Sequence, residues 1–200
     1  MTARPRPERA TTIAVREGGS ADAAMLAELG ARTFRDTYAE ANAAHELEAY
    51  VADAYREEVQ AAELADPALT YLVAEIADMP VGFALLRTAA APDPVSAANP
   101  VQLERLYVDR EHQGVGAGAA LLRAVLDRGT REGHDLVWLT VWERNPTAIA
   151  YYTRWGFEQV GTVPFVLGTE RQTDLVMVRD PGLRPPQPAA APAAGPPPPS

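Results

Sequence analysis

This 200-residue chain has no cysteine and no lysine. Without cysteine there is no disulfide framework, no cysteine nucleophile and no thiolate metal site, and the composition fits a reducing, cytoplasmic setting. Without lysine there is no Schiff-base chemistry, and a P-loop, which needs Lys-Ser/Thr after its second glycine, is excluded. Serine stands only at Ser20, Ser96 and Ser200, none of them in a G-x-S-x-G elbow, which argues against that type of serine hydrolase. The three histidines, His45, His112 and His134, lack metal-ligand spacing, so no metal is expected. No apolar run approaches the ~20 residues of a membrane span, so no membrane role is expected. Met1–Ala10 carries three arginines but no apolar stretch follows, which does not read as a secretory signal.

What is present is a 47% hydrophobic composition, ample for a sizeable core, and a net charge of −9. That charge argues against nucleic-acid binding and suits a small cationic partner. Nearly all of it lies in one region. From Asp36 to Asp66 nine acids face a single base, Arg56. The segment is either a solvated helix face or a field that concentrates a polycation. Whether the chain forms a homodimer is left open.

The pattern predicts one domain over 11–180, between an Arg/Pro-rich arm (1–10) and a Pro/Ala-rich tail (181–200), both expected to be disordered. Thr11–Glu17 alternates as a strand. Gly18-Gly19 turns the chain, Ser20 is a suitable N-cap, and a helix follows to about Tyr38. A second helical region covers about Ala43–Leu64, with a break expected near Arg56. Leu69–Ile76 and Val81–Thr88 read as a hairpin around 77–80. Leu136–Trp142 is a continuous apolar strand, expected inside a sheet. Asn145 caps a helix with Pro146 at its first position. Glu158–Thr162 and Gln172–Arg179 close the domain as strands.

The stretch that organises the chain is Leu103–Asp109, a polar step, then Gln113-Gly114-Val115-Gly116-Ala117-Gly118 opening a helix through Leu126. Gly costs a helix roughly 1 kcal/mol relative to Ala, so three alternate glycines need a reason. One is close approach of a phosphate to the free N–H groups of the first turn, where the helix dipole also favours an anion. The other is a tight turn with close helix–strand packing. A dinucleotide fingerprint can be forced on Gly114, Gly116 and Ala119, but the polar Asp109–Gln113 segment separates strand from glycine turn, unlike that motif.

Gln113, Gly116 and Gly118 fill Gln/Arg-x-x-Gly-x-Gly/Ala, which resembles the acetyl-CoA loop of the GCN5-related N-acetyltransferases (GNAT). Asn145-Pro-Thr-Ala148-Ile149-Ala-Tyr151-Tyr152-Thr-Arg-Trp-Gly156-Phe157 resembles a second signature of that family, at the expected place and spacing. The resemblance covers about 11–180. It implies an α/β (α+β) fold: a mixed, mostly antiparallel sheet with splayed central parallel strands, flanked by helices. It also implies acetyl-CoA as co-substrate. Pantetheine would pair along Arg105, Leu106, Tyr107 and Val108, the diphosphate would meet the amides of Val115, Gly116, Ala117 and Gly118, Asn145 would face the pantetheine, and Tyr152 would lie near the sulfur. Phe34–Asn42 with Tyr38, Glu46 and Tyr50 resembles the PaiA-like polyamine-acetylating subgroup. So do Trp142–Asn145, Phe165–Gly168 and Gln172–Asp174. Ala43 and Ala44 and the missing lysines depart from that subgroup.

The implied reaction is acetyl transfer to a primary amine by direct attack. An alkylamine arrives protonated at neutral pH, so a base is needed. Glu104 is the candidate, acting through water, expected on one strand face with Gln102 and Leu106; an ion-paired or surface glutamate is the other reading. Backbone N–H groups over Leu106–Val108 can steady the oxyanion. Tyr152 can protonate the leaving thiolate, and Tyr151 is expected to pack into the core. A silent CoA-binding sensor, a nucleotide-binding module, and amino acids, protein N-termini or antibiotics as acceptors remain open.

Overall fold

The computed structural model describes residues 12–40, 42–167 and 170–183. The arm over 1–10 and the tail from 184 onward lie outside the described residues, as do the expectations placed on them.

The chain opens with β1 (Ile13–Glu17). Its turn into the first helix is built differently from the expected Ser20 cap. Ser20–Asp22 is a single 3-10 turn, and the Asp22 carboxylate accepts the Gly19 N–H at 2.7 Å and the Arg16 guanidinium at 2.8 Å. Helix α1 (Ala23–Tyr38) follows. The expected second helix is two, α2 (Ala44–Ala54) and α3 (Glu57–Ala65), parted at Arg56, whose extended backbone caps α3. Strands β2 (Leu69–Ile76) and β3 (Met79–Arg87) form a hairpin two residues tighter than the pattern indicated. Ala77 and Asp78 both take positive φ, +50° and +62°, the geometry of a tight two-residue turn. Then come β4 (Pro100–Val108), α4 (Ala117–Arg131), β5 (Leu136–Trp142) and α5 (Pro146–Arg154). The closing strands β6 (Glu158–Leu167) and β7 (Glu170–Arg179) pair with each other well beyond their expected ends. Packing continues past Arg179: Pro181 is buried against Gly129 of α4.

All seven strands form one sheet in the order β1-β2-β3-β4-β5-β7-β6, antiparallel except for β4 beside β5. Its two faces are covered separately. On one, the α4 stripe Leu121, Leu122, Val125 and Leu126 packs on Val81, Leu103, Val137, Leu139 and Met177, with Ile149 and Tyr152 of α5 alongside. On the other, Leu26 and Leu29 of α1 pack on Tyr71, Val73, Phe83 and Leu85, and Phe34 packs on Leu47, Val51 and Tyr55. Burying one apolar stripe per helix against a sheet is what holds such layers together. Among the described residues no helix is long and apolar enough to cross a membrane.

Two irregularities position the site. The parallel ladder between β4 and β5 runs only from Pro100↔Leu136 to Gln102↔Trp138. Beyond it β5 stays with β7 as far as Trp142↔Asp174, while β4 stays with β3 as far as Val108↔Gly82. The two central strands therefore part, and backbone groups of Leu103–Val108 on that side have no strand partner. The second irregularity is a β-bulge. Arg105 pairs with Leu85 and Leu103 with Leu86, so Glu104 is an extra residue without an opposite number. A bulge re-aims the side chains on either side of it.

Candidate active site

The glycine turn lies at one side of the splay. Gly114 (φ +79°) and Gly116 (φ +103°) occupy the left-handed region, which non-glycine residues enter at a cost. Gly116 is the N-cap of α4, and the first capped bond is Ala120 N–H to the Gly116 carbonyl at 2.9 Å. The N–H groups of Ala117, Gly118 and Ala119 thus lack intrahelical acceptors and stand at the positive end of the helix. Gly118 is not constrained in this way: a Cβ there would meet the Tyr151 hydroxyl at 3.5 Å and Val108 Cγ2 at 3.7 Å, ordinary contact distances. Gln113 donates its side-chain N–H to the Val108 carbonyl at 3.2 Å, tying the turn to the end of β4. Val115 is exposed at the crest of the turn. Such a cradle of amides, beside a strand edge with free backbone groups, fits a diphosphate joined to an amide-bearing arm.

Helix α5 reaches the splay from the α4 side of the sheet. The Asn145 side chain accepts the Ala148 N–H at 3.0 Å, which fixes the start of α5, with Pro146 supplying the first helical residue. Tyr151 and Tyr152 pack edge to face, with ring centroids 5.4 Å apart. Their hydroxyls differ. That of Tyr151 is buried against the start of α4 with no hydrogen-bond partner among the described residues, and burial pushes its pKa up to about 12. Tyr152 packs with the α4 layer and edge-on against Phe157, ring centroids 5.6 Å apart. Burial, then the neighbouring Tyr151 and Tyr38, raise the Tyr152 phenol well above its ordinary value. Tyr152 is therefore a protonated donor throughout the neutral range.

Across the splay stands an aromatic wall drawn from distant segments. Phe34 stacks on Tyr50 at 4.7 Å and packs on Tyr38 at 4.4 Å. Tyr38 reaches Trp142 at the end of β5 (6.0 Å), Tyr50 reaches Phe165 of β6 (6.5 Å), and Tyr107 of β4 meets Phe34 at 6.5 Å. Gln172 of β7 donates to Asn42 Oδ1 at 2.9 Å. The segments that resemble the PaiA-like subgroup are thus brought to one place, and Phe34, Tyr38 and Trp142 lie together there. Tyr50, Tyr55, Tyr107 and Phe165 belong to the same wall. Helical spacing places Tyr50 and Tyr55 on a half-buried face, Tyr107 was expected on the pantetheine edge and Phe165 in a PaiA-like segment, and none of these readings shows what the rings would meet.

The bulge corrects one expectation. Glu104 does not share a face with Leu106. Leu106 and Val108 pack toward α4, whereas Glu104, Arg105 and Tyr107 all turn to the face of α1–α3. There Arg87 of β3 grips the Glu104 carboxylate with Nε and, at 3.2 Å, Nη2, and Arg105 Nη2 lies 3.6 Å away. Arg105 makes a two-pronged pair with Glu63 of α3, both bonds 2.9 Å, and donates to the Tyr71 hydroxyl at 3.0 Å. Burial opposes the Arg105 charge, but Glu63 and the adjoining Tyr71 and Tyr55 more than offset it. Arg105 was expected only as part of the pantetheine edge and Glu63 only as one of nine acids, and Arg87 had no assigned role, because nothing local shows that residues 63, 87, 104 and 105 converge. Among the described residues no three His, Asp or Glu side chains gather as a metal cluster.

Comparisons with known proteins identify the family and the fold. The acetyltransferase (GNAT) family model matches residues 31–157. An uncharacterized N-acetyltransferase of Mycobacterium tuberculosis is 36% identical over 160 residues, covering 80% of this chain and 97% of the relative. A spermine/spermidine N(1)-acetyltransferase of Bacillus subtilis is 30% identical over 86 residues, 42% of this chain and 57% of that protein. The fold is shared with the PaiA N-acetyltransferase of Thermoplasma acidophilum, solved in complex with coenzyme A, at a TM-score of 0.71 and 22% identity over 84% of this chain and 99% of that one. The matched stretch begins in α1 and ends just after α5, so it takes in the glycine turn, the parting of β4 from β5, and Phe34, Tyr38 and Trp142: this chain is an N-acetyltransferase of the acetyltransferase (GNAT) family.

Proposed function

We propose that the protein acetylates a primary amine of a cationic, polyamine-like acceptor, with acetyl-CoA as donor. The observation that carries this reading is the two-sided splay. Free amides and an unpaired strand edge lie on one side, and an aromatic wall backed by carboxylates lies on the other. Acetyl-CoA supplies a thioester whose acyl group can pass to a neutral amine nitrogen. The residues assigned to hold it are Gln113 and the turn Gly114–Gly118 for the diphosphate, Leu106–Val108 for the pantetheine amides, and Asn145 beside them.

The chain's own groups then handle protons and orientation. Aromatic faces such as those of Tyr38 and Trp142 attract an ammonium by cation–π interaction, and the acidic α2–α3 region adds a favourable field. Glu104 is assigned as the base, through water. A carboxylate has about four lone-pair sites, so the grip of Arg87 still leaves Glu104 able to accept a water. Tyr152, held protonated by burial, is assigned as the donor to the departing thiolate. Leu106–Val108 N–H groups on the free edge of β4 are assigned to the oxyanion. The B. subtilis relative, named for spermine and spermidine, supports the acceptor class.

The test is steady-state thiol release with a panel of diamines, polyamines, amino acids, peptide N-termini and aminoglycosides. Diamines and polyamines are expected to give the highest kcat/KM. A neutral amino acid or peptide as the best acceptor would overturn the acceptor class. No thiol release with any amine, alongside stabilisation by acetyl-CoA and not by NAD, would identify a CoA-binding sensor instead.

A further inference from the structure

One carboxylate of the aromatic wall stands apart from the rest. Glu63 is neutralised by Arg105 and Glu104 by Arg87. Asp174 of β7 has no ion pair among the described residues, and its Oδ1 is buried without a hydrogen-bond partner. The strand's alternation explains its position. Leu175 and Met177 pack toward α4, which turns Asp174 to the face of α1 and α2. It sits opposite Trp142 of β5 and Val163 of β6. Burial raises the carboxyl's pKa, Thr140 of β5 offsets part of that, Glu143 just beyond β5 adds a like charge, and the carboxyl acts on the Tyr38 phenol of α1. A carboxylate left half-satisfied beside electron-rich rings destabilises the fold by itself. Such a cost is retained where a ligand supplies the missing partner. The partner that fits is a cation small enough to lie among rings, with N–H donors: an alkylammonium.

Tyr38 links this carboxyl to the proposed reacting centre. Its ring lies 6.0 Å from that of Trp142, the strand neighbour of Asp174, and its phenol raises the pKa of Tyr152. An alkyl chain lying along Tyr38 and Trp142 could then present one nitrogen toward Tyr152 and the other toward Asp174. Resting on the acceptor reading above, we propose that Asp174 binds the ammonium that is not acetylated, and so selects acceptors carrying a second positive charge. The reacting nitrogen must lose its proton, whereas the distal one keeps it, and a carboxylate favours the charged form at that end. Glu143, Tyr38 and Thr140 are the groups whose charge or hydroxyl acts with it, and among these none is positive.

The test compares wild type with Asp174→Asn, which keeps shape and removes charge. The probes are 1,5-diaminopentane and 1-aminopentane, with binding measured by calorimetry on CoA-loaded protein and turnover by thiol release. Wild type is expected to bind the diamine more tightly than the monoamine. In Asp174→Asn the diamine should weaken by about 10- to 100-fold, the range for a charge-assisted bond, with the loss in KM and little change in kcat. The monoamine should be unaffected. Equal diamine binding by both proteins, with wild-type turnover intact, would overturn the anchor and leave the enzyme reading standing. A fall in kcat for both amines alike would make Asp174 the base and overturn the anchor too. Diamine binding that depends on Asp174 without any thiol release would uphold the anchor and sink the acetyl-transfer reading.

Discussion

Adjacent tyrosines in α5 should respond in opposite ways to loss of one oxygen. Tyr151 buries a hydroxyl with no partner, packed at the start of α4. A buried unsatisfied polar group costs about 1–3 kcal/mol. Tyr151→Phe removes it and keeps the ring contacts with Tyr152 and Trp155. At about 2–4 °C per kcal/mol for a domain of this size, Tm should rise by ~2–12 °C, with turnover unchanged. Tyr152→Phe likewise keeps the ring against Tyr151 and Phe157. It removes the assigned proton donor, and positioned acid catalysis is worth roughly 10²–10⁴-fold. Turnover should fall by at least ~10²-fold, with acetyl-CoA affinity and Tm little changed. The assay is single-turnover acetylation, which isolates chemistry from product release, beside calorimetric binding and thermal melts. Near-normal single-turnover rates in Tyr152→Phe would mean that the thiolate leaves unaided or takes its proton from water. A loss of rate in Tyr151→Phe would mean that the two roles had been assigned to the wrong residues.

Other outcomes are expected. Val115→Glu places a carboxylate on the exposed crest of the glycine turn, and at ~6 Å in water each charge pair costs about 0.7 kcal/mol. Acetyl-CoA affinity should therefore fall about tenfold without loss of Tm; unchanged affinity would move the diphosphate elsewhere. Raising salt from low to moderate should raise KM for a polyamine more than for a neutral amine, because the field of the Asp36–Asp66 region is screened; equal responses would mean that these acids are only a solvated face. Asp174 has a pKa raised chiefly by burial, so the folded state holds its proton more tightly than the unfolded chain does. Its destabilising effect is absent below the ordinary Asp range near ~4, grows as pH rises through the raised value, and is constant above it. Asp174→Asn should thus melt higher than wild type at pH ~7–8, the difference closing toward pH ~4; a pH-independent difference would contradict this. Ala77→Gly relieves an alanine held at φ +50° and should raise stability by about 1 kcal/mol in urea unfolding.

Much of the architecture was legible because the signals are local. Strand runs such as Leu136–Trp142, the stripe of α4, the Asn145-Pro146 helix start and the glycine turn report backbone preferences that neighbouring residues set. Two motifs in the right order then sufficed to point to the family. The break at Arg56 was legible too, whereas the tight hairpin was not: two non-glycine residues at positive φ carry no turn signature and are held there by the ladder on either side.

The tertiary structure decided what depends on partners far along the chain. The bulge that turns Glu104 away from Leu106 is a mismatch in count between β3 and β4, invisible in β4 alone. Three alternate glycines read as one feature, yet only Gly114 and Gly116 take left-handed dihedrals, while a Cβ on Gly118 would meet Tyr151 and Val108 at ordinary contact distance. Asp174 belonged to a recognisable stretch but had no assigned role. Sequence periodicity shows which face of a strand a carboxyl takes. Whether that carboxyl finds a cation depends on which arginines reach the same face, and here both arginines of the site, Arg87 and Arg105, are engaged with glutamates, which leaves Asp174 unpaired beside the rings.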